Sequence, residues 1–137
     1  MKKTLRKFAL LFSAGAVGGF ANSIAVWAFG KAGINAMLGV SIAPELTPAW
    51  LYPRLVWGGL WGALFLLLEN GKIRINFFLK AFVASLGPTL VMFFIVFPIK
   101  AGKGYMGLDL GVMTPALVVL FNFIWAITTL KLYRYLK

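Results

Sequence analysis

The segment KAGINAMLGVSIAPELTPAW, residues 31–50, resembles a second segment of the same chain, KAGKGYMGLDLGVMTPAL, residues 100–117. Both begin with Lys-Ala-Gly, both place a Met six residues after the Lys, and both reach Thr-Pro-Ala near their ends. Each segment separates two strongly apolar runs. The sequence therefore predicts two pairs of apolar helices, each pair joined by one copy of this segment.

The composition indicates an integral membrane protein. Hydrophobic residues make up 61% of the 137 residues and charged residues 12%, and the mean hydropathy is +0.90. Soluble domains are on average about half apolar and a quarter charged. Runs at 8–30, 48–68, 77–99 and 115–132 are long enough to cross a hydrocarbon core about 30 Å thick as helices. We expect an all-α fold with four transmembrane helices, forming a single domain over residues 1–137.

The first run also resembles a secretory signal, because KKTLRK precedes FALLFSAGAVGGF and a small residue at Ala21. Signal cores typically have about 7 to 15 apolar residues, whereas this run continues to Phe29. We therefore expect a retained helix.

Basic residues are concentrated on one side of the predicted helices. Ten lie in the N-terminal tail, the segment 69–80 and the C-terminal end, and only Lys31, Arg54, Lys100 and Lys103 lie on the other side. Because basic loops remain on the cytoplasmic side, we expect both termini and the 69–76 loop in the cytoplasm. The expected location is the inner (cytoplasmic) membrane, with both Lys-Ala-Gly segments outside.

The net charge of +11 is better matched by anionic lipid headgroups than by nucleic acid. The basic residues form short clusters beside apolar runs and do not cover one face of a soluble domain. The sequence thus predicts contact with a bilayer that contains anionic lipids, and no nucleic-acid partner.

The residue types do not favour catalysis or metal binding. The chain has no Cys and no His, and its three carboxylates, Glu45, Glu69 and Asp109, are scattered among predicted loops and helix ends. Metal sites and paired-carboxylate chemistry depend on such groups lying close together. We predict a protein that is not an enzyme and carries no metal or cofactor.

The resemblance between the two segments indicates a tandem duplication. Their Lys-Ala-Gly triplets are 69 residues apart, and at the same offset AVGG (16–19) corresponds weakly to SLGP (85–88). We predict two helical hairpin repeats, at 8–68 and 77–132. Two helices per unit give both copies the same orientation, related by a pseudo-two-fold axis along the membrane normal. The two outer segments would then face each other, with Ser41 in one copy at the position of Asp109 in the other.

The ends of the two segments have the composition of helix ends. Gly after Lys-Ala favours the left-handed conformation that follows a helix. Thr before Pro favours a helix start, since Thr caps free N–H groups and Pro suits the first helical position. Thr47 and Thr114 are therefore predicted N-caps of the helices that follow them.

Arg54 is the main candidate site residue, because it lies inside the second apolar run. Placing an Arg at the centre of a membrane helix costs about 3 kcal/mol on insertion scales. In one interpretation Arg54 stacks on Trp50 or Trp57, pairs with Glu45 or Asp109, and is structural. In the other it binds an anion or lipid phosphate together with nearby charges. The full candidate set for that site is Arg54, Lys31, Lys100, Lys103 and Asp109.

Other polar and small residues lie inside the apolar runs. Asn22, Ser85, Thr89 and Asn122 are predicted to form hydrogen bonds between helices, or alternatively to line a polar path. Gly15-x-x-x-Gly19 and Gly58-x-x-x-Gly62 allow close helix contact, either within the chain or with a second copy or another membrane protein.

Two functions are consistent with these features. The first is a small, homo-oligomeric membrane protein that handles a small anion or lipid headgroup at an outward-facing site around Arg54. The second is a non-catalytic structural or accessory subunit of a larger membrane complex.

Overall fold

The computed structural model describes residues 1–137 and is all-helical, with 77% helix and no strands. Four helical stretches are long and apolar enough to span a membrane. We name them the first span (Lys2–Lys31), the second span (Pro48–Leu68), the third span (Phe77–Lys100) and the fourth span (Thr114–Leu136). The predicted all-α class and the four spans are confirmed. The first span starts earlier than predicted, because the basic N-terminal tail is helical too.

Two of the spans are interrupted or irregular within these bounds, and both long connections contain short helices. The second span consists of Pro48–Gly62 and a short helix at Phe65–Leu68. The third span is α-helical over Phe77–Val91 and continues as a π-helix over Met92–Lys100. The first connection contains a helix at Ile34–Met37, and the second contains a 3₁₀ helix at Tyr105–Leu110.

The spans run alternately in opposite directions. Glu69 after the second span contacts Lys80 in the third and Lys137 after the fourth, so these chain ends meet. We call this the terminal end, because the N-terminus of the antiparallel first span also lies there. The opposite end, or loop end, carries the connections 32–47 and 101–113, which touch where Ser41 N–H donates to the Leu110 carbonyl at 2.9 Å.

The helix stops of the repeated segments are confirmed. Helices end at Lys31 and Lys100, and Gly33 and Gly102 follow with φ of 80° and 65°. A side chain at these positions would be strained, since this left-handed region favours glycine. The same tripeptide therefore ends both spans, the first as an α-helix and the third as a π-helix.

The two Thr residues behave differently. Thr47 is extended, and its Oγ1 accepts a hydrogen bond from Trp50 N–H at 3.2 Å, as predicted. The predicted cap at Thr114 is wrong, because the fourth span is already helical there and Met113 is its N-cap. The Thr114 side chain points instead toward Gly107, and its Oγ1 is buried without a hydrogen-bond partner.

Glycines form the contact between the first and second spans. A Cβ on Gly58 would lie 2.6 Å from the Gly15 carbonyl oxygen, and one on Gly19 would lie 2.7 Å from the Arg54 carbonyl oxygen. A Cβ on Gly62 would overlap the Leu11 carbonyl. These glycines are buried within one chain, as in the alternative that they serve contact between its own helices. Self-association itself stays a separate prediction.

The spans are arranged in the order second, first, fourth, third. The first packs on the second and fourth, and the third packs mainly on the fourth. The second meets the third only through small contacts, among them the approach of Trp61 and Leu64 to Gly87. In the apolar stretches of the first and fourth spans 44% of residues are buried, against 22% and 28% in the second and third. The first and fourth spans are thus the centre of the bundle.

This arrangement bears on the tandem repeat. A two-fold axis that relates the two hairpins would exchange the first span with the third and the second with the fourth. The broad contact between the first and fourth spans would then require an equally broad contact between the third and second spans. That second contact is small, and the two connections have different backbone conformations. The fold is therefore described by four helices, and the duplication remains an inference from the sequence.

The π-helix at the end of the third span differs from the α-helix predicted there. Its backbone hydrogen bonds join residues five apart, one more than in an α-helix, as in the bond from Ala101 N–H to the Val96 carbonyl at 2.8 Å. Pro98 lies within it. In an α-helix the proline ring clashes with the carbonyl four residues earlier, here that of Phe94, and the wider turn relieves this clash.

Candidate functional site

Arg54 lies in the second span and directs its side chain toward the first. Its Nε donates to Ser23 Oγ at 2.8 Å, and one terminal nitrogen donates to Asn22 Oδ1 at 2.7 Å. The guanidinium lies over the Trp50 ring, 4.6 Å from its centroid. The close approach of Gly19 to the Arg54 backbone brings these groups together. The predicted stacking on Trp50 is confirmed.

No carboxylate balances this charge within the chain. All ion pairs in the structure belong to Glu69 at the terminal end. Glu45 and Asp109 are exposed in the loop-end connections and make no pair with Arg54, so the predicted pairing is wrong. A guanidinium has five N–H donors, and the hydrogen bonds of this one use two of them. Arg54 is therefore a half-buried cation held by neutral oxygens.

A chain of polar side chains extends from Arg54 across the bundle. Asn22 Nδ2 donates to the Phe121 carbonyl at 2.7 Å and, at 3.4 Å, to Asn122 Oδ1. Asn122 Nδ2 then donates to Thr89 Oγ1 at 2.9 Å. We call Arg54, Ser23, Asn22, Asn122 and Thr89 the polar chain. It includes side chains from all four spans.

Three of the four predicted intramembrane polar residues lie in the polar chain, and the interhelical hydrogen bonds expected of Asn22, Asn122 and Thr89 are present. Ser85 is the exception, since its hydroxyl donates to the Phe82 carbonyl of its own helix at 2.6 Å. The interhelical bond predicted for Ser85 is therefore wrong. One turn of helix already supplies it with an acceptor.

Ser23 is a polar position that was not predicted from the sequence, and the hydrogen bonds of Trp125 were not predicted either. Ser23 is fully buried and donates its hydroxyl to the Gly19 carbonyl at 2.7 Å, which leaves its oxygen free to accept from Arg54. Trp125 Nε1 lies 3.2 Å from both the Gly15 and Gly58 carbonyls. The available sequence signal for a role of Ser23 was its position beside Asn22 and four residues after Gly19.

The remaining predicted site residues are exposed at the loop end. Lys31, Lys100, Lys103 and Asp109 have no ion pair, and none makes a side-chain hydrogen bond to Arg54. The Asp109 carboxylate lies beside Gly104, 3.1 Å from where a Cβ on that glycine would lie. The structure thus does not join the five predicted residues into one cluster around Arg54.

Lys31 instead lines a groove of about 700 Å³ that also contacts Trp27 and Glu45. The groove lies between the end of the first span and the chain that leads to the second. A smaller groove of about 490 Å³ shares Gly30 and Ala43 with it and includes Ser41. We call the larger one the Lys31–Glu45 groove.

Glu69 forms a second polar cluster, which was not predicted from the sequence. Its carboxylate accepts from Lys80 Nζ at 2.8 Å and from two nitrogens of Arg134 at 2.8 and 3.2 Å, and Lys137 Nζ lies 3.8 Å away. The side chains of Glu69 and Lys80 are only 6% and 7% exposed. Glu69 thereby ties the second, third and fourth spans together. It is the one acidic residue at an end with ten basic ones. That imbalance of charge was the available sequence signal for an ion cluster.

The surroundings of Glu69 change its titration. Burial opposes ionisation, but hydrogen bonds from Arg134 and Lys80 and their positive charges outweigh it and lower the pKa of Glu69 from 4.5 to about 2. The carboxylate therefore stays ionised throughout the physiological range.

These features define a class: an all-helical, multi-pass membrane protein by the length and composition of its helices, with a cation inside one span and an ion cluster at one end. Comparison with protein-family profiles, curated proteins and solved structures finds no match to this chain.

Proposed function

We propose that this protein binds the phosphate of a lipid headgroup at a site centred on Arg54, in the outer half of the inner membrane. The observation that carries the proposal is a guanidinium within a membrane-length helix that has no carboxylate partner. An uncompensated charge at this depth is costly. A phosphate oxygen supplies the missing negative charge and accepts the remaining N–H groups.

The geometry around Arg54 suits an oxyanion such as phosphate. A guanidinium matches two phosphate oxygens at once, and such charge-assisted pairs are among the strongest hydrogen bonds. Asn22 and Ser23 fix the orientation of the planar group, and Trp50 covers one face of it. The Arg54 side chain is therefore ordered before a ligand arrives, which reduces the entropy lost on binding.

The second span also favours a lipid as the source of that phosphate. It is the least covered of the spans, and Trp57, three residues after Arg54, is 57% exposed. Arg54 is itself only half-buried, so a lipid phosphate at the edge between the first and second spans can reach its free N–H groups. The exposed lysines of the loop end add positive charge to the same headgroup layer.

The orientation belongs to the same proposal. Ten basic residues belong to the terminal end and four to the loop end or the outer half, so the positive-inside rule places the terminal end in the cytoplasm. We retain the tandem duplication of 8–68 and 77–132 as the origin of the chain, supported by the matching helix stops at Gly33 and Gly102.

A structural or accessory subunit is the alternative function. It is favoured by the sparse coverage of the second and third spans. In their apolar stretches only 22% and 28% of the residues are buried. A homo-oligomer would use the same faces, since the glycines of the first and second spans are already covered.

The test compares lipids that remain bound to the purified protein in native mass spectrometry. Wild type is expected to retain phospholipid, and Arg54→Gln to retain roughly tenfold less, as for loss of a charge-assisted pair. Arg54→Lys keeps the charge without the planar fork and is expected to fall between them. Arg74→Gln is the matched control, because Arg74 is exposed at the terminal end and has no ion pair.

Competition with inorganic phosphate separates a lipid from a free anion. Lipid that stays bound in its presence supports the proposal. Equal retention by wild type and Arg54→Gln contradicts it, and a protein partner that co-purifies with both variants favours the subunit alternative.

A further inference from the structure

The Lys31–Glu45 groove has two walls of opposite charge. One wall is the last turn of the first span, with Trp27, Gly30 and Lys31, and the other is the chain at 43–46. Gly30 brings the walls together, since a Cβ there would lie 2.9 Å from Ala43 Cα. The groove has a volume of about 700 Å³ and is open to its surroundings, so it can receive the polar end of a larger molecule.

The two charges of the groove are not paired with each other. Lys31 and Glu45 are both exposed, and neither takes part in any ion pair of the structure. The half-buried Trp27 lies in the same groove and adds an aromatic surface that attracts a cation. An anionic group and an ammonium group of one ligand would each meet an opposite charge.

The groove is separate from the polar chain. Ser23, which holds Arg54, and Lys31 are eight residues apart in the first span, which is about 12 Å along a helix. Ser23, Trp27 and Lys31 are each four residues apart and so lie on one face. The groove therefore begins about one turn, and ends about two turns, nearer the loop end than Arg54.

We infer that the Lys31–Glu45 groove is a second binding site, for a zwitterionic headgroup that carries a phosphate and a primary amine. Lys31 binds the phosphate, and Glu45 accepts hydrogen bonds from the ammonium group, which also contacts the Trp27 ring. The site does not depend on the function proposed for Arg54. Its selectivity comes from Glu45, because a headgroup without an amine gains nothing from that carboxylate.

The test measures the ratio of phosphatidylethanolamine to phosphatidylglycerol that the full chain retains from an equimolar mixture, by native mass spectrometry. Both lipids carry the same phosphate, but only the first has an amine. Glu45→Gln is expected to lower the ratio roughly threefold, the size of a partly exposed ion pair. Gly30→Ala displaces one wall without changing any charge, and is expected to lower the ratio too.

Asp109→Asn is the matched control, since Asp109 is the other exposed loop-end carboxylate and lies outside the groove. An unchanged ratio in Glu45→Gln overturns the inference, as does an equal fall in Asp109→Asn. Adding phosphoethanolamine to the buffer shows whether the groove binds a free headgroup or a whole lipid. If it displaces the lipid, the headgroup alone is sufficient for binding. If the lipid stays bound and its retention still depends on Glu45, the groove binds the whole lipid. Arg54→Gln removes lipid that is held through its phosphate alone, which both lipids share, and is therefore expected not to lower the ratio, so the two sites fail independently.

Discussion

Asn22 is the residue on which the polar chain depends. Its oxygen accepts from Arg54 while its nitrogen donates to the Phe121 carbonyl and to Asn122. It is 8% exposed, so its partners have little access to other donors or acceptors. One amide thus connects the charge in the second span to the first and fourth spans.

Replacing Asn22 by Leu removes these bonds and keeps a side chain of similar length. We expect the free energy of unfolding in detergent to fall by roughly 1–3 kcal/mol, from interhelical bonds of about 0.6 kcal/mol each and from partners left unpaired. Ser85→Ala is the control, because its bond stays within one helix, and it is expected to cost less. Equal losses in the two variants would contradict a special role for Asn22.

At the residue scale the sequence predicts polar groups by their rarity. Arg54, Asn22 and Asn122 stand out because polar side chains inside apolar runs are costly. Ser23 does not stand out, since a Ser can bond within its own helix. The charge imbalance marks Glu69, but its particular partners could not be recognised because they lie 11 and 65 residues away, a proximity that no local pattern encodes.

At the element scale the contact of the first and second spans depends on the absence of side chains at Gly15, Gly19, Gly58 and Gly62. With a Cβ on Gly58 only 2.6 Å from the Gly15 oxygen, the helices cannot keep their separation if a methyl group is added. Trp125 would also lose its position, because it donates to the carbonyls of both helices.

We therefore expect Gly58→Ala to destabilise the fold by about 1–3 kcal/mol, as overpacking does in other tightly packed interiors. The measurement is the unfolding midpoint of the purified protein. Val17→Leu is the control, since Val17 is 47% exposed on the outer face of the first span. If Gly58→Ala were as stable as wild type, the close contact of these helices would be refuted.

The sequence predicts helix stops better than helix starts. Gly33 and Gly102 adopt a backbone conformation that only glycine reaches freely, so their role follows from residue type. The cap at Thr114 depends instead on where the helix begins, and the preceding 3₁₀ helix with its turn at Gly111 shifts that start by one residue. The π-helix likewise follows from how Pro98 is accommodated, which composition does not specify.

At the scale of the whole molecule, the Glu69 cluster ties three spans together where the polar chain does not reach. Its folded-state pKa of about 2 is below the usual 4.5, so ionised Glu69 stabilises the fold above pH 4.5. That stabilisation is lost as the pH falls from about 4.5 toward 2, because the protonated form is held less well.

We expect the thermal unfolding midpoint of wild type to fall between about pH 6 and about pH 3. Glu69→Gln is expected to be less stable at about pH 6, since Lys80 loses its partner while buried, and to show a weaker pH dependence. Glu45→Gln is the control for an exposed carboxylate. A wild-type midpoint that is constant over this range would contradict the role given to Glu69.

The fold class follows from composition, but the arrangement of helices in the bundle does not. Four apolar runs predict four spans, and charge predicts their direction. The packing order second, first, fourth, third arises from where glycines and Trp125 allow close approach, and it departs from the symmetry that the repeated segments suggested. Arg54 was thus predictable as a single residue, and its neutral partners emerged only from packing.

Solid-state NMR measures directly whether lipid phosphate neutralises Arg54. With ¹³C-labelled arginine in phospholipid bilayers, the ¹³C–³¹P dipolar coupling of the Arg54 Cζ is assigned by its absence from Arg54→Lys. We expect a carbon–phosphorus distance of about 4 Å, as in a bidentate pair. Arg134, held by Glu69, is the internal comparison. An Arg54 coupling no stronger than that of Arg134 would contradict the proposed phosphate contact.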